Sequence, residues 1–121
     1  MKPTIYIAGP MRGYPNFNRE AFNAAERRLL DVGWQPINPV SIEKIYPCED
    51  EDGKVDAYRL HNLMIVERAF VERCAAIYLL DGWETSIGAK GELCEFLKRG
   101  GIAVFLESNG TPETPSMGGV Q

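Results

Sequence analysis

The sequence predicts an α/β fold in which a parallel sheet of four to five strands lies between layers of helices. Short runs of β-branched, aromatic and aliphatic residues alternate with longer segments of helical periodicity. This alternating order favours a parallel sheet with helices on both faces. The run at residues 76–80 shows no polar alternation, which indicates a strand buried on both faces. Because the chain has 121 residues, it is long enough for one domain and too short for two.

Four strands and three helices are predicted in alternation. Strands are expected at residues 4–8, 34–38, 75–80 and 102–106, and two of the helices at 58–73 and 86–99. The first helix is expected to begin after Asn16 or Asn18 and to end at Gly33, because asparagine is a good N-cap and glycine often follows a last turn. Pro36 removes a backbone donor, so the second strand is predicted at an edge of the sheet.

Two segments are predicted to lie outside regular structure. Residues 39–56 are polar and include the acidic run 49–52, which we interpret as a solvated loop, with a lid over a site as the alternative. Residues 108–121 are rich in Gly, Pro, Ser and Thr, a composition typical of a flexible tail. The domain is therefore assigned to residues 1–107.

Composition excludes several classes of function. The net charge is −4 and no basic run exceeds two residues, so we expect no binding to a nucleic-acid polymer. The single histidine, His61, and the wide spacing of Cys48, Cys74 and Cys94 argue against a histidine triad, a metal site and a disulfide framework. No signal peptide and no apolar run of about 18 residues is found. We expect a cytoplasmic protein with reduced thiols and without metal, cofactor or membrane contact.

A candidate site is predicted where the parallel strands end, because ligands bind at that edge of such sheets. The strand ends fall at residues 9–13, 38–39 and 81–92. Small residues at 85–91 present backbone N–H groups at the start of a helix, which favours an anion. Glu92 follows within the first two turns and is a candidate nucleophile. The alternative is an exposed helix glutamate near a lysine.

Further residues near this edge are candidates for binding and orientation. Arg12 is a candidate phosphate ligand, or else a solvated loop arginine. Ser86 is a predicted N-cap whose hydroxyl can also hold phosphate. Tyr6 reaches Glu92 if the last helix packs beside the first strand.

The loop at residues 81–84 adds two carboxylates and an aromatic ring. Asp81 and Glu84 lie close to Glu92 in sequence, and two carboxylates about 5 Å apart suit a retaining glycosyl mechanism. Trp83, like Tyr14 in the first loop, either stacks on a base or packs on the protein. Asp81 and Trp83 are therefore taken as candidate substrate-binding residues.

Two motifs together resemble the nucleoside 2-deoxyribosyltransferase superfamily. They are residues 5–13, Ile-Tyr-Ile-Ala-Gly-Pro-Met-Arg-Gly, and the pattern Ser86-x-Gly88-Ala89-x-x-Glu92. Within that superfamily the chain is most similar to the 2'-deoxynucleoside 5'-monophosphate N-glycosidases, and the block at residues 82–89 resembles a small phage-type branch. The resemblance extends over residues 4–106.

The resemblance implies a flavodoxin-like three-layer sandwich that cleaves an N-glycosidic bond. Glu92 matches the nucleophile and Tyr6 the tyrosine that orients it. The positions around the sugar and 5'-phosphate match Gly9, Arg12, Gly13, Ser86 and Gly88. Glu67 and Ala75 stand where the family usually carries aspartates, and Glu67 is taken as the third catalytic residue. The family implies a homodimer or larger assembly, in which a tail residue such as Ser116 completes the partner's site.

The expected function is cleavage of the N-glycosidic bond of a nucleoside or deoxynucleoside 5'-monophosphate, by hydrolysis or base transfer. The small-molecule nucleotide is then the main partner. The alternative is a module of the same fold that binds or sequesters a nucleotide without cleaving it, which the departures at Glu67 and Ala75 favour. A third hypothesis is an interaction domain that uses residues 39–56 and the tail.

Overall fold

A four-stranded, all-parallel sheet forms the centre of the fold. The computed structural model describes residues 2–49 and 51–114. The strands are β1 (Thr4–Ala8), β2 (Gln35–Ile37), β3 (Ala76–Leu79) and β4 (Ala103–Leu106). They lie in the order β2-β1-β3-β4. The helices are α1 (Arg19–Val32), α2 (Pro39–Ile45), α3 (Ala57–Val71) and α4 (Ile87–Lys98). The predicted α/β, flavodoxin-like three-layer fold is confirmed.

The strand β1 supplies side chains to both faces of the sheet. Ile5 and Ile7 pack with Phe22 and Leu29 of α1, whereas Tyr6 packs with Leu63 of α3 and with residues of α4. Since β1 and β3 are the two inner strands, their side chains are almost completely buried. The helix α1 therefore covers one face of the sheet, and α3 and α4 cover the other.

Several local predictions are confirmed. The helix α1 begins after Asn18, although the Asn18 side chain donates to the carbonyl of Pro10 and does not cap the helix. Gly33 ends α1 in a left-handed conformation, and its N–H donates to the carbonyls of Leu29 and Leu30. β2 lies at an edge of the sheet, as the proline at position 36 predicted. Among the described residues, no helix is both long enough and apolar enough to cross a membrane.

The prediction of a loop throughout residues 39–56 is wrong, because α2 occupies its first seven residues. The Asn38 side chain accepts a hydrogen bond from the Val40 N–H at 3.0 Å. Pro39 occupies the first helical position, where a missing N–H costs nothing. Val40 and Ile42 are buried, so packing stabilises a helix too short to show a clear apolar period.

The segment after β4 lies against the rest of the fold as far as it is described. The carbonyl of Pro112 accepts a hydrogen bond from the indole N–H of Trp34 at 3.2 Å. The Thr114 hydroxyl donates to the carbonyl of Val32. The remaining residues of the predicted tail, 115–121 with Ser116, lie outside the described residues. The domain boundary at residue 107 stays a prediction.

Candidate active site

A cavity of about 440 Å³ opens at the carboxyl end of the sheet. Its volume is in the usual range for small-molecule sites. The loop after β1, the start of α4 and the helices α2 and α3 all contribute to its wall. The polar part of the wall includes Arg12, Glu43, Glu67, Ser86 and Glu92. The cavity therefore lies where the topology predicts a ligand, with three carboxyl groups and one guanidinium group on its wall.

Two glycines bring the loops after β1 and β3 together. A Cβ atom on Gly9 would lie 2.8 Å from the Cβ of Leu80, so a side chain there would separate the two strand ends. A Cβ on Gly82, whose φ is +88°, would lie 2.6 Å from the hydroxyl of Tyr14. Glycine tolerates both the close approach and the positive φ. The loops that carry Arg12 and Ser86 can therefore border the same cavity.

A buried hydrogen bond joins Tyr6 to Glu92. The tyrosine hydroxyl donates to Oε2 of Glu92 at 2.5 Å. Tyr6 is fully buried and Glu92 is 8% exposed. The contact forms because α4 packs against the face of β1 on which Tyr6 lies. The structure thus brings together two residues that are 86 positions apart in sequence.

The environment of Glu92 raises its proton affinity, so that the neutral and ionised forms are both accessible near neutral pH. Burial raises its pKa to about 7, although the hydrogen bond from Tyr6 and the positive charge of Arg68 both oppose the rise. The pKa of the Tyr6 hydroxyl also lies well above its usual value, first because of burial and then because of the charge of Glu92. The tyrosine therefore stays protonated and acts as a hydrogen-bond donor to the carboxyl group.

Glu67 is a second carboxyl group with an altered proton affinity. Burial, first, and then the negative charges of Glu92 and Glu43 together raise its pKa to about 8. The positive charge of Arg12 opposes this rise. Because Glu67 and Glu92 influence each other, they titrate as a pair, and the pair holds a proton at neutral pH. Two carboxyl groups in these protonation states can serve as an acid and a nucleophile.

Arg12 contacts a group of residues that the sequence analysis did not select. Its Nη2 donates to the Sγ of Cys48 at 3.1 Å. The Cys48 thiol in turn lies 3.6 Å from Oε1 of Glu43. Both Cys48 and Glu43 are buried, and Glu43 is brought to the cavity by α2. The only sequence signal for this arrangement is the Asn38-Pro39 start of α2.

The first turn of α4 forms another part of the wall. The Ser86 hydroxyl accepts a hydrogen bond from the Ala89 N–H at 3.1 Å, which confirms the predicted N-cap. Ser86 and Gly88 both line the cavity. The positive end of the helix dipole therefore points toward this space. Binding of a phosphate here stays a prediction.

Not all of the predicted site residues lie on the cavity wall. Gly9, Arg12, Glu67, Ser86, Gly88 and Glu92 line it, and Tyr6 is connected to it through Glu92. Gly13, Asp81 and Trp83 are not among the lining residues. The backbone N–H of Asp81 donates to Glu107, and Trp83 packs against the apolar cluster under α4. Within the described residues, no cluster of His, Cys, Asp or Glu has an arrangement that would hold a metal ion.

A comparison with protein families gives one match. The family described as "Domain of unknown function (DUF4406)" matches residues 3–106. The chain belongs to this family. The DUF4406 match extends from β1 to β4 and so includes every residue that lines the cavity. No curated protein matches the chain.

Proposed function

We propose that the chain cleaves the N-glycosidic bond of a nucleoside or deoxynucleoside 5'-monophosphate, by hydrolysis or by base transfer. The observation that carries the proposal is the buried hydrogen bond of 2.5 Å from Tyr6 to Glu92, beside a cavity of small-molecule size. A carboxylate fixed in this way is suited to attack a sugar carbon. The resemblance of residues 5–13 and 86–92 to the deoxyribosyltransferase superfamily supports the same reaction.

In the first step, a Glu92 carboxylate oxygen attacks the anomeric carbon and forms a glycosyl ester. The bond from this carbon to the base nitrogen breaks, and its electron pair leaves with the base. Glu67 donates a proton to the departing base, since its raised pKa keeps it protonated at neutral pH. Tyr6 holds the attacking group in place through its hydrogen bond.

In the second step, water or a second base attacks the same carbon from the side that the first base left. Glu67, now a carboxylate, accepts the proton of the attacking group. The ester bond breaks, and Glu92 leaves as a carboxylate. The sequence of two displacements restores both carboxyl groups to their starting states.

The 5'-phosphate is assigned to the first turn of α4. The Ser86 hydroxyl and the backbone N–H groups near Gly88 border the cavity at this end. Arg12 also lines the cavity and carries several N–H donors, of which Nη2 contacts Cys48. A phosphate bound between these groups places the anomeric carbon toward Glu92, further along the same helix.

The proposal is tested by the release of free base. The protein is incubated separately with ribonucleoside and deoxyribonucleoside monophosphates, and the products are separated by chromatography. We expect release from at least one of them, and a loss of about a thousandfold or more in Glu92→Gln. Glu95→Gln is the matched control, because Glu95 lies on the same helix but does not line the cavity. Release that is unchanged in Glu92→Gln would exclude the nucleophile, and no release from any monophosphate would exclude the reaction.

A second function, nucleotide binding without cleavage, is favoured by the raised pKa of Glu92. A protonated carboxyl group is not a nucleophile, so a cavity that keeps Glu92 neutral binds a sugar without attacking it. Calorimetry that detects binding of a monophosphate, with no base released between pH 6 and pH 9, would support this function. Release that increases as Glu92 loses its proton would exclude it.

A further inference from the structure

An arginine next to Glu67 in sequence lies against the helix that carries Glu92. Successive residues of a helix point about 100° apart, so Glu67 can line the cavity while Arg68 reaches α4. Arg68 comes so close to α4 that a Cβ atom on Gly91 would lie 3.1 Å from its Nη2. Gly91 directly precedes Glu92. The guanidinium group therefore lies beside the backbone that positions the candidate nucleophile.

Gly91 has no local reason to be a glycine. It lies inside α4, and it is not among the glycines with a positive φ. Glycine in a helix interior is destabilising relative to alanine. At Gly88, in the same helix, the nearest atom to an added Cβ is 3.8 Å away, so the crowding is specific to Gly91. The space at Gly91 is filled by the Arg68 guanidinium.

Glu92 and Glu67 have different charged and titratable neighbours. Glu92 faces the Tyr6 hydroxyl from β1 and the charges of Glu67 and Arg68 from α3. Glu67 faces Glu43 from α2 and Arg12 from the first loop. The guanidinium that lies against α4 thus favours the charge on Glu92.

We infer that Arg68 is a positioning residue that keeps Glu92 ionised while Glu67 retains the proton, and that Gly91 provides the space in which Arg68 does so. The inference rests on the proposed function, since it explains how two neighbouring carboxyl groups take different roles. Arg68 does not contact the reacting atoms. It acts through the proton affinity of Glu92, because a nearby cation stabilises a carboxylate.

The test measures the titration of Glu92 directly, so that it does not depend on turnover. The protein is labelled with ¹³C at glutamate side-chain carboxyl groups, and the Glu92 signal is identified by its absence in Glu92→Gln. Because the Arg68 side chain is exposed and its charge is partly screened by solvent, we expect Arg68→Gln to raise the midpoint of this signal by about half a pH unit. Arg68→Lys should leave the midpoint close to that of the unaltered protein, since lysine keeps the positive charge. Gly91→Ala should move the midpoint in the same direction by a smaller amount, without a loss of thermal stability.

Lys90→Gln is the matched control. Lys90 is an exposed cation on α4, two residues before Glu92. We expect its removal to leave the Glu92 midpoint unchanged. A midpoint that is the same in Arg68→Gln as in the unaltered protein would overturn the inference, and so would an equal shift in Lys90→Gln.

The pH dependence of base release separates this inference from the proposed function. With a substrate that releases base, the acid limb of the pH profile of kcat/KM should move to higher pH in Arg68→Gln, by the same amount as the NMR midpoint. The plateau value of kcat/KM should stay within about twofold of that of the unaltered protein. If base is released but the acid limb of the profile does not move in Arg68→Gln, the proposed function stands and the role of Arg68 is excluded. A shifted NMR midpoint without release from any nucleotide would retain the role of Arg68 and exclude the function.

Discussion

The two faces of the sheet differ in what they bury, although one strand supplies both. On the α1 face, Ile5 and Ile7 pack among apolar side chains. On the α3/α4 face, Tyr6 of the same strand donates a hydrogen bond to a buried carboxyl group. Apolar packing stabilises the fold, whereas burial of a carboxyl group opposes folding unless the group is neutral or has partners. Both faces bury an apolar cluster, but only the α3/α4 face adds a buried, hydrogen-bonded carboxyl group. The comparison indicates that the α1 face provides stability, whereas the α3/α4 face provides both stability and chemistry.

The largest effect on stability is expected on the α1 face. Leu29 is fully buried there and does not line the cavity. Leu29→Ala should lower the free energy of unfolding by about 2–5 kcal/mol, because it removes apolar contacts and leaves a cavity. Denaturant unfolding measures this loss. Under conditions in which the variant is still folded, its rate of base release should stay within about twofold of that of the unaltered protein. A large loss of activity would contradict the division between the two faces of the sheet.

A smaller effect is expected from pH on the α3/α4 face. The pKa of Glu67 is raised in the folded protein to about 8, above its value in the unfolded chain, so the folded state binds more protons between these two values. The contribution of Glu67 to stability should therefore be complete below about pH 4.5 and be lost as the pH rises through 8, and Glu92, with a pKa of about 7, contributes with the same sign. Thermal unfolding from pH 5 to pH 9 measures the fall. Glu67→Gln should make this dependence flatter, and a dependence as steep as before would contradict the assignment to Glu67.

The smallest effect on stability is expected from Tyr6→Phe. The change keeps the ring in the core but leaves a buried carboxyl oxygen without its donor, so the free energy of unfolding should fall by about 1–3 kcal/mol. Because this bond lowers the pKa of Glu92, its loss should move the titration of Glu92 to higher pH. Base release at neutral pH should fall by about ten- to a hundredfold. A loss of stability as large as that of Leu29→Ala, with activity retained, would reverse the comparison.

The sequence predicts the parts of this molecule that depend on local pattern. The alternation within residues 5–7 places Ile and Tyr on opposite faces, and Ser86 and Gly33 mark helix ends. The convergence of the strand ends follows from the parallel topology alone. These features depend on backbone preferences that a few neighbouring residues determine.

The rest of the site depends on packing between distant segments. The helix α2 has seven residues, and its apolar side chains are too few to show a period. Glu43 reaches the cavity only because α2 packs between α1 and α3. The contact between Arg68 and the position of Gly91 likewise follows from how α3 lies on α4. The local sequence does not distinguish a buried glutamate from a solvated one, because burial depends on the tertiary structure.

The hydrogen bond from Trp34 to the carbonyl of Pro112 has a consequence for synthesis on the ribosome. The indole is completely buried and its partner is 78 residues later in the chain. Chains emerge from the N-terminus, so Trp34 is synthesised 78 residues before the residue that accepts its hydrogen bond. A nascent chain that stops at β4 has all four strands yet leaves the indole N–H without this carbonyl. Completion of the α1 face therefore follows the synthesis of all four strands and is not part of the first collapse around β1.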